Sequence, residues 1–377
     1  MKIGVLGAGQ LGQMMALSGY PLSNRFTFFD TTGNPSADIG HTISDPNGQQ
    51  LSSFLSQVDI VTYEFEHLPI ELVKQVASKK PLYPGVEALG VCQNREAEKS
   101  LFDRLHIPVA QYRIVESAPE LAEAFDELMQ QGAKAVVAKS ITEGYDGKGQ
   151  AVIRASEEAA DAWQRIGHSR LIVESFVDFV REVSIIAVRS RSGDVAFYPL
   201  AENHHVEGIL RYSLAPLPDI TEAVQQQAER YIHQLLDSLD YVGVLTLELF
   251  QCADGRLLAN EMAPRVHNSG HWTQNGAVTS QFENHLRAIQ GLPLGSTKAT
   301  APTCMINIIG KMGDAESLLR LDGVHLHLYG KDERPGRKLG HINVVADDLP
   351  SLLEKVRLIS TFLPQAPEPL FYCDSSY

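Results

Sequence analysis

The sequence predicts a mixed α/β and α+β chain of two or three domains that opens on a parallel sheet. Three observations carry that expectation. Short apolar runs alternate with amphipathic stretches through the first 80 or so residues, as strands covered by helices do. Further on, apolar runs come in pairs joined by Gly-containing turns, as antiparallel hairpins do. Finally, 377 residues exceed what one ordinary core holds.

The elements follow in order. Residues 2–6 form a buried strand, followed by a tight glycine turn and a helix over 10–18. Strands at 26–30 and 58–63 and a helix at 69–78 complete the first unit, which ends where Pro and Gly cluster at 81–85. A helix over 94–105 leads into an alternating strand and helix region, 111–174. Residues 183–188 and 195–200 are neighbouring strands turning at Arg191-Ser192-Gly193-Asp194. Val224, Ala228, Ile232, Leu235 and Leu239 lie at helical spacing. Residues 242–250 and 256–261 make a second hairpin, turning at Ala253-Asp254-Gly255. A small C-terminal unit begins after Gly295, with strands at 305–309, 325–329 and 341–345 and a helix near 349–359.

Composition narrows the function. A formal net charge of −14 argues against nucleic acid or an anionic membrane as the main partner, but leaves room for a small phosphorylated substrate in a local basic pocket. Cys92, Cys252, Cys304 and Cys373 are widely spaced and form no C-x-x-C pair, so reduced thiols in a cytoplasmic protein are expected, without structural zinc. The first residues lack the apolar core of a signal peptide, and no apolar run reaches the length of a membrane span.

Five segments carry chemistry. Gly144-Tyr145-Asp146-Gly147-Lys148-Gly149-Gln150 follows a strand ending at Lys139, and its glycines free backbone N–H groups to face an anion. It is either a plain turn or a flexible lid over nucleotide phosphates. Gly7-Ala8-Gly9-Gln10-Leu11-Gly12 lies between strand and helix, with Asp30 ending the next strand. That is the dinucleotide fingerprint and points to NAD, although the helix N-terminus suits any phosphorylated ligand, and close packing alone also explains it. Glu248 and Asn260-Glu261 sit on paired apolar strands. Carboxylates placed there need a partner, either Mg²⁺ or a lysine. Arg265 in Pro264-Arg265-Val266-His267-Asn268-Ser269-Gly270-His271 suits a transferred phosphoryl group, while the two histidines are either chemical or ordinary loop residues. Lys331-Asp332-Glu333-Arg334-Pro335-Gly336-Arg337-Lys338 is either a solvated basic turn or a phosphate grip.

In this order, these segments resemble the ATP-grasp superfamily, and within it the family of N5-carboxyaminoimidazole ribonucleotide synthetases, the ATPase subunits of phosphoribosylaminoimidazole carboxylase. The resemblance spans nearly the whole chain. It is most specific at Gly7-Ala8-Gly9-Gln10-Leu11-Gly12-Gln13-Met14, the 144–150 loop, Phe179-Val180-Arg181-Glu182-Val183-Ser184, residues 260–273 and Arg334-Pro335-Gly336-Arg337-Lys338-Leu339-Gly340-His341.

The resemblance implies an N-terminal Rossmann-like, pre-ATP-grasp domain at 1–94. An ATP-grasp domain follows at 95–295, with a lid subdomain at about 111–175, and then a small C-terminal domain at 296–377. It assigns ATP to Arg95, Lys139, Gly144, Tyr145, Asp146, Gly147, Lys148, Gly149, Gln150, Asn260 and Glu261. Glu174, Ser175, Phe176 and Val177 meet the adenine, Glu182 the ribose, and His205 lines the nucleotide pocket. Glu248 and Glu261 hold Mg²⁺. Gly9, Gln10, Leu11, Glu64, Glu66, Tyr145, His267, Asn268, Ser269, Lys331 and Arg337 face 5-aminoimidazole ribonucleotide, with Arg334 a rival to Arg337 for its phosphate. Lys139, Arg265 and His271 are catalytic, and His271 and Glu66 compete for the amine proton.

The implied reaction is carboxylation of that ribonucleotide by bicarbonate and ATP through carboxyphosphate, a ligase step of purine (IMP) biosynthesis, in a cytoplasmic homodimer. Three rivals stand beside it: a formate-using glycinamide ribonucleotide transformylase of the same superfamily, an NAD-dependent oxidoreductase, and a non-catalytic nucleotide-binding regulator.

Overall fold

The computed structural model describes residues 1–142, 149–167, 170–364, 366–367, 369 and 371. Three sheets organise them. The first is parallel, built from β1 (Lys2–Leu6), β2 (Arg25–Asp30), β3 (His41–Ser44) and β4 (Ile60–Tyr63) in the order β3-β2-β1-β4. Ile3, Val5, Phe28 and Val61 are fully buried, so its strands are apolar without alternation, as a sheet covered on both faces requires. The chain leaves β1 through Gly7 (φ +104°), where a Cβ would strike the Glu64 and Phe65 side chains, and enters the helix Gln10–Gly19.

The second sheet is antiparallel, with β5 (Tyr112–Val115), β6 (Val136–Ser140), β7 (Gln150–Ile153) and β8 (Leu171–Ser175) in the order β5-β8-β6-β7. The helices Ala118–Gln130 and Ala159–Ile166 pack on one face, leaving the other to line a cleft.

The third sheet is the largest. It contains β9 (Phe179–Arg189), β10 (Val195–Phe197), β11 (Ala201–Val206), β12 (Ile209–Ala215), β13 (Gly243–Cys252), β14 (Leu257–Ala263), β15 (Thr303–Ile309), β16 (Val324–Leu328) and β17 (Lys338–Val345). Its order is β14-β13-β9-β11-β12-β15-β17-β16, with β10 paired to β9. Side chains alternate across it. Val183, Ile185 and Leu247 join Ala228, Ile232 and Leu235 of the helix Glu222–Ser238 in one core. Ile186, Val188 and Val244 share another with Phe282, Leu286 and Ile289 of the helix Gln281–Gln290. Each Val, Ile, Leu or Phe among them contributes about 1.5–3 kcal/mol by leaving water.

Strand β10 ends at Phe197 rather than extending to residue 200, because Pro199 has no N–H to donate to the ladder. The hairpin of β11 and β12, the strand β3 and the helix Gln281–Gln290 are additional to the sequence reading. The hairpin turns at Glu207 (φ +53°) and Gly208 (φ +76°), the left-handed pair that matches strand twist. The C-terminal strands extend the third sheet through pairing of β12 with β15. Among the described residues no helix is long and apolar enough to cross a membrane. Cys92 and Cys252 are free thiols, Cys304 is buried, and Cys373 lies outside the described residues.

Candidate active site

The three sheets enclose a cleft of about 760 Å³. Its floor owes its shape to one irregularity. Glu248 of β13 pairs in register with Glu261 of β14, while Leu249 pairs with Ala259, so Asn260 is the extra residue of a β-bulge. A bulge interrupts alternation. It brings Asn260 and Glu261 into the cleft beside Glu248. Burial, then the Glu261 charge, push the Glu248 carboxyl up to about 7. Two acceptor-only groups held together in this way fit a hard divalent cation, which takes one or two carboxylates and completes its shell with phosphate and water.

The opposite wall gathers positive charge. Lys139 of β6 is ion-paired with Glu174 of β8. The other oxygen of Glu174 accepts from Lys99 Nζ at 2.7 Å, and Lys99 also donates to the Asn260 carbonyl at 2.8 Å. Lys99 therefore ties the second sheet to the bulge of the third. Burial alone would raise the Glu174 carboxyl, but Lys139 and Lys99 hold it down to about 2. Arg95 lines the cleft one helical turn earlier and donates to the Ser140 carbonyl at 2.7 Å.

Between these walls the cleft is apolar. Val137 and Val152, a register pair on the second sheet, line it together with Phe179 and Phe250, whose rings stack at 4.8 Å on the third. Val152 and Phe176 are exposed, at 37% and 45%. Apolar side chains on both walls suit a flat heterocycle. Glu182 and His205 form an ion pair at the edge, where Glu182 raises the imidazole against its burial.

At the far end lies the glycine turn. Gly12 N–H donates to Glu64 at 2.7 Å, and Gly9 N–H donates to its other oxygen. A carboxylate of the protein thus stands at the helix N-terminus, where anions are favoured. Asp30 is buried and accepts from Thr32 and Ser44. Both places a dinucleotide would use are filled by the protein's own side chains, which weighs against NAD. Gln10 accepts from Lys331. Arg265 forms a two-point ion pair with Glu66, and its charge overcomes burial to hold that carboxyl at about 2.

The segment after β14 completes the site. His267 Nε2 lies 3.2 Å from Glu248. The amide of Asn268 has neither oxygen nor nitrogen partnered although both are buried, so it is poised for a ligand. Burial depresses both His267 and His271 as bases. Gln281 fixes His271: its oxygen accepts the His267 N–H at 2.9 Å, so its nitrogen faces His271 Nδ1 at 3.3 Å. The ring proton of His271 is therefore on Nε2, and that edge is a donor.

Most sequence-predicted residues meet in this cleft: Gly9, Gln10, Leu11, Glu64, Glu66, Arg95, Lys139, Gln150, Phe176, Glu182, His205, Glu248, Asn260, Glu261, Arg265, His267, Asn268 and His271. Others stand back from it. Ser269 is fully buried behind His267, and Glu174 lies between the lysines. Arg337 donates to the Asp332 carbonyl at 3.3 Å, outside the lining, and Arg334 is exposed. Ser175 and Val177 are likewise outside the lining. Gly144, Tyr145, Asp146, Gly147 and Lys148 lie outside the described residues, while Gly149 accepts from Ser140 N–H at 3.0 Å. Sequence reasoning missed Gln93, Glu98, Lys99 and Phe250, and named Phe179 and Lys338 only within longer segments. A lysine buried on an amphipathic helix and aromatics on alternating strands are common in cores, so only tertiary proximity distinguishes these.

Three family descriptions match successive parts of the chain. They are the ribonucleotide synthetase preATP-grasp domain over residues 1–93, the ATP-grasp domain over 100–282 and the phosphoribosylaminoimidazole carboxylase C-terminal domain over 303–355. An N5-carboxyaminoimidazole ribonucleotide synthase of Vibrio cholerae is 43% identical over 377 residues, covering 98% of this chain and 97% of that one. The crystal structure of the synthetase from Thermus thermophilus is 46% identical with a TM-score of 0.90, covering 97% and 99%. That of the Aspergillus clavatus synthase with ADP and 5-aminoimidazole ribonucleotide is 30% identical with a TM-score of 0.87, covering 96% and 98%.

Proposed function

The chain belongs to the family of N5-carboxyaminoimidazole ribonucleotide synthases within the ATP-grasp superfamily, and from that premise we propose how its cleft works. It is an ATP-dependent ligase of purine biosynthesis that converts 5-aminoimidazole ribonucleotide to the N5-carboxyamino product. The observation that carries the mechanism is the convergence of Gly9–Leu11, Lys139 and the Glu248/Glu261 pair, from three sheets, on one cleft.

Bicarbonate supplies the carboxyl group. One of its oxygens attacks the γ-phosphorus of ATP, ADP leaves, and carboxyphosphate forms. The exocyclic amine then attacks the carboxyl carbon, and phosphate departs with the bridging oxygen and takes up the proton that the amine loses. Phosphoryl transfer of this kind depends mainly on positioning and charge stabilisation. Phe179 and Phe250 hold the adenine against Val137 and Val152, and Glu182 and His205 take the ribose. Lys139 faces the polyphosphate, while Arg265, steadied by Glu66, faces the transferred group. His271 donates through Nε2 to the carboxylate oxygen rather than accepting the amine proton. Glu248 and Glu261 hold Mg²⁺, which when bound neutralises phosphate charge. Asn268, Gln10 and Lys331 meet the ribonucleotide at the glycine-turn end. Carboxyphosphate hydrolyses readily, so water must be excluded, and the 144–150 loop is the segment we assign to cover the reactants.

In this reading residues 1–94 present the ribonucleotide, 95–295 bind ATP, and 296–377 close the sheet. The working form is a cytoplasmic homodimer. A coupled ADP-release assay tests the chemistry: ADP appears only with 5-aminoimidazole ribonucleotide and bicarbonate together. Release with formate and glycinamide ribonucleotide instead, or reduction of NAD without ATP hydrolysis, overturns it.

A further inference from the structure

A buried hydrogen-bond chain crosses the third sheet beneath the cleft and ends on Glu248. Ser213 Oγ of β12 donates to Asn203 Oδ1 of β11 at 2.7 Å. Asn203 Nδ2 donates to Ser184 Oγ of β9 at 2.9 Å, and Ser184 Oγ donates to Ser269 Oγ at 2.9 Å. Ser269 Oγ lies 2.9 Å from His267 Nδ1, and His267 Nε2 lies 3.2 Å from Glu248 Oε1. Ser213, Ser184 and Ser269 are at most 1% exposed and Asn203 is 5% exposed, so water does not compete for these groups.

The chain has one direction, and both ends set it. At the His267 end the backbone N–H of Ser269 points at Nδ1 from 3.3 Å. At 3.3 Å that N–H only weakly favours an unprotonated Nδ1, so the 2.9 Å bond from the Ser269 hydroxyl is what puts the ring proton on Nε2, aimed at the Glu248 carboxylate. At the Asn203 end the amide nitrogen can only donate, so Ser184 must pass its own proton on to Ser269, and Ser269 must pass its proton to Nδ1. Every hydroxyl donates once toward the cleft.

We propose that Asn203, Ser184 and Ser213 are positioning residues: they hold His267 as the Nε2–H tautomer and thereby orient the Glu248 carboxylate toward Glu261. None of the three lines the cleft, so their side chains reach Glu248 through Ser269 and His267. Partners that orient a catalytic or ligating side chain from behind commonly matter about 10–100-fold. The proposal rests on the functional reading above only for what Glu248 does, not for the tautomer.

The test uses the full chain without nucleotide or metal, labelled with ¹⁵N-histidine. Long-range ¹⁵N–¹H spectra report which ring nitrogen is protonated, and the His267 signals are assigned by their loss in His267→Gln. Wild type shows a proton on Nε2. Asn203→Asp keeps the shape but cannot donate, so Ser184 turns to face it. Ser184→Ala deletes the link and keeps the test open if a buried aspartate prevents folding. In either folded variant the His267 signals move toward a mixture of tautomers. The turnover number falls about tenfold, with the KM for ATP within about twofold. A purely structural network would lower the melting temperature while leaving the tautomer alone. An unchanged tautomer in folded Ser184→Ala overturns the proposal, whatever happens to the rate. A changed tautomer in a protein inactive toward bicarbonate sustains the proposal and removes the functional reading instead.

Discussion

Glu174 and Glu248 face the same region from opposite sheets, and their environments have opposite effects. Both are strand residues with little exposure, 5% and 15% at the side chain. Glu174 sits between Lys99 and Lys139 and is held down to about 2. Glu248 sits beside Glu261 and is pushed up to about 7. Desolvation raises both, so the neighbours decide the sign. The first carboxylate is neutralised within the fold and braces the wall of the cleft. The second is paired with another carboxylate, a poor arrangement for stability but a suitable one for a cation arriving with nucleotide. Structural and functional carboxylates are thus told apart by what compensates them.

Four substitutions would break or sharpen that contrast. The largest effect belongs to Glu261→Ala, which lowers turnover about 10³-fold with the circular dichroism spectrum intact. Near-normal turnover would remove Glu261 from the cation site.

Next comes Glu174→Gln. It leaves two lysines facing each other without their anion and lowers stability to urea by about 3 kcal/mol. The pH dependence has a fixed sign. Glu174 is depressed in the folded state, so its stabilisation is present above the ordinary carboxylate range and disappears as pH falls toward 2. Wild type should therefore lose more stability between pH 4.5 and 2 than the variant does, by about 3 kcal/mol. Parallel acid limbs would contradict the bracing role.

The opposite stability change is expected of Glu248→Gln. Its carboxyl is raised in the fold, so stability is lost as pH climbs from the ordinary carboxylate range to about 7 and levels off above that. The nucleotide-free variant gains about 3 kcal/mol at pH 8, a gain that fades by about pH 5, while turnover is lost. A destabilised variant at pH 8 would show that the carboxylate is already compensated.

The smallest effect is that of Asp30→Asn, since Asp30 is occupied by Thr32 and Ser44. Its KM for ATP changes by less than about twofold. A large change would return Asp30 to a ligand role.

What the sequence reveals follows from the range of each interaction. The parallel sheet and the hairpin bearing Glu248 and Glu261 are legible because their signals are local: an apolar run, a glycine turn, a period of two. The bulge at Asn260 is not, since a one-residue register shift leaves no compositional mark. Neither is the capture of Gly9 and Gly12 by Glu64, nor of Glu174 by Lys99, because these partners lie far apart in the chain. Arg265 lines the cleft, and no local pattern announces its ion pair with Glu66 between the first and third sheets. The hairpin of β11 and β12 escapes notice for a different reason. Its polar residues, Asn203 and Ser213 among them, look like loop but are satisfied by each other inside the sheet.

Isotope transfer tests the chemistry most directly. With ¹⁸O-labelled bicarbonate, ATP and 5-aminoimidazole ribonucleotide, carboxyphosphate must leave its bridging oxygen on phosphorus. Each inorganic phosphate released should then carry one ¹⁸O. Phosphate free of label, formed as fast as the carboxylated product, would contradict the carboxyphosphate route.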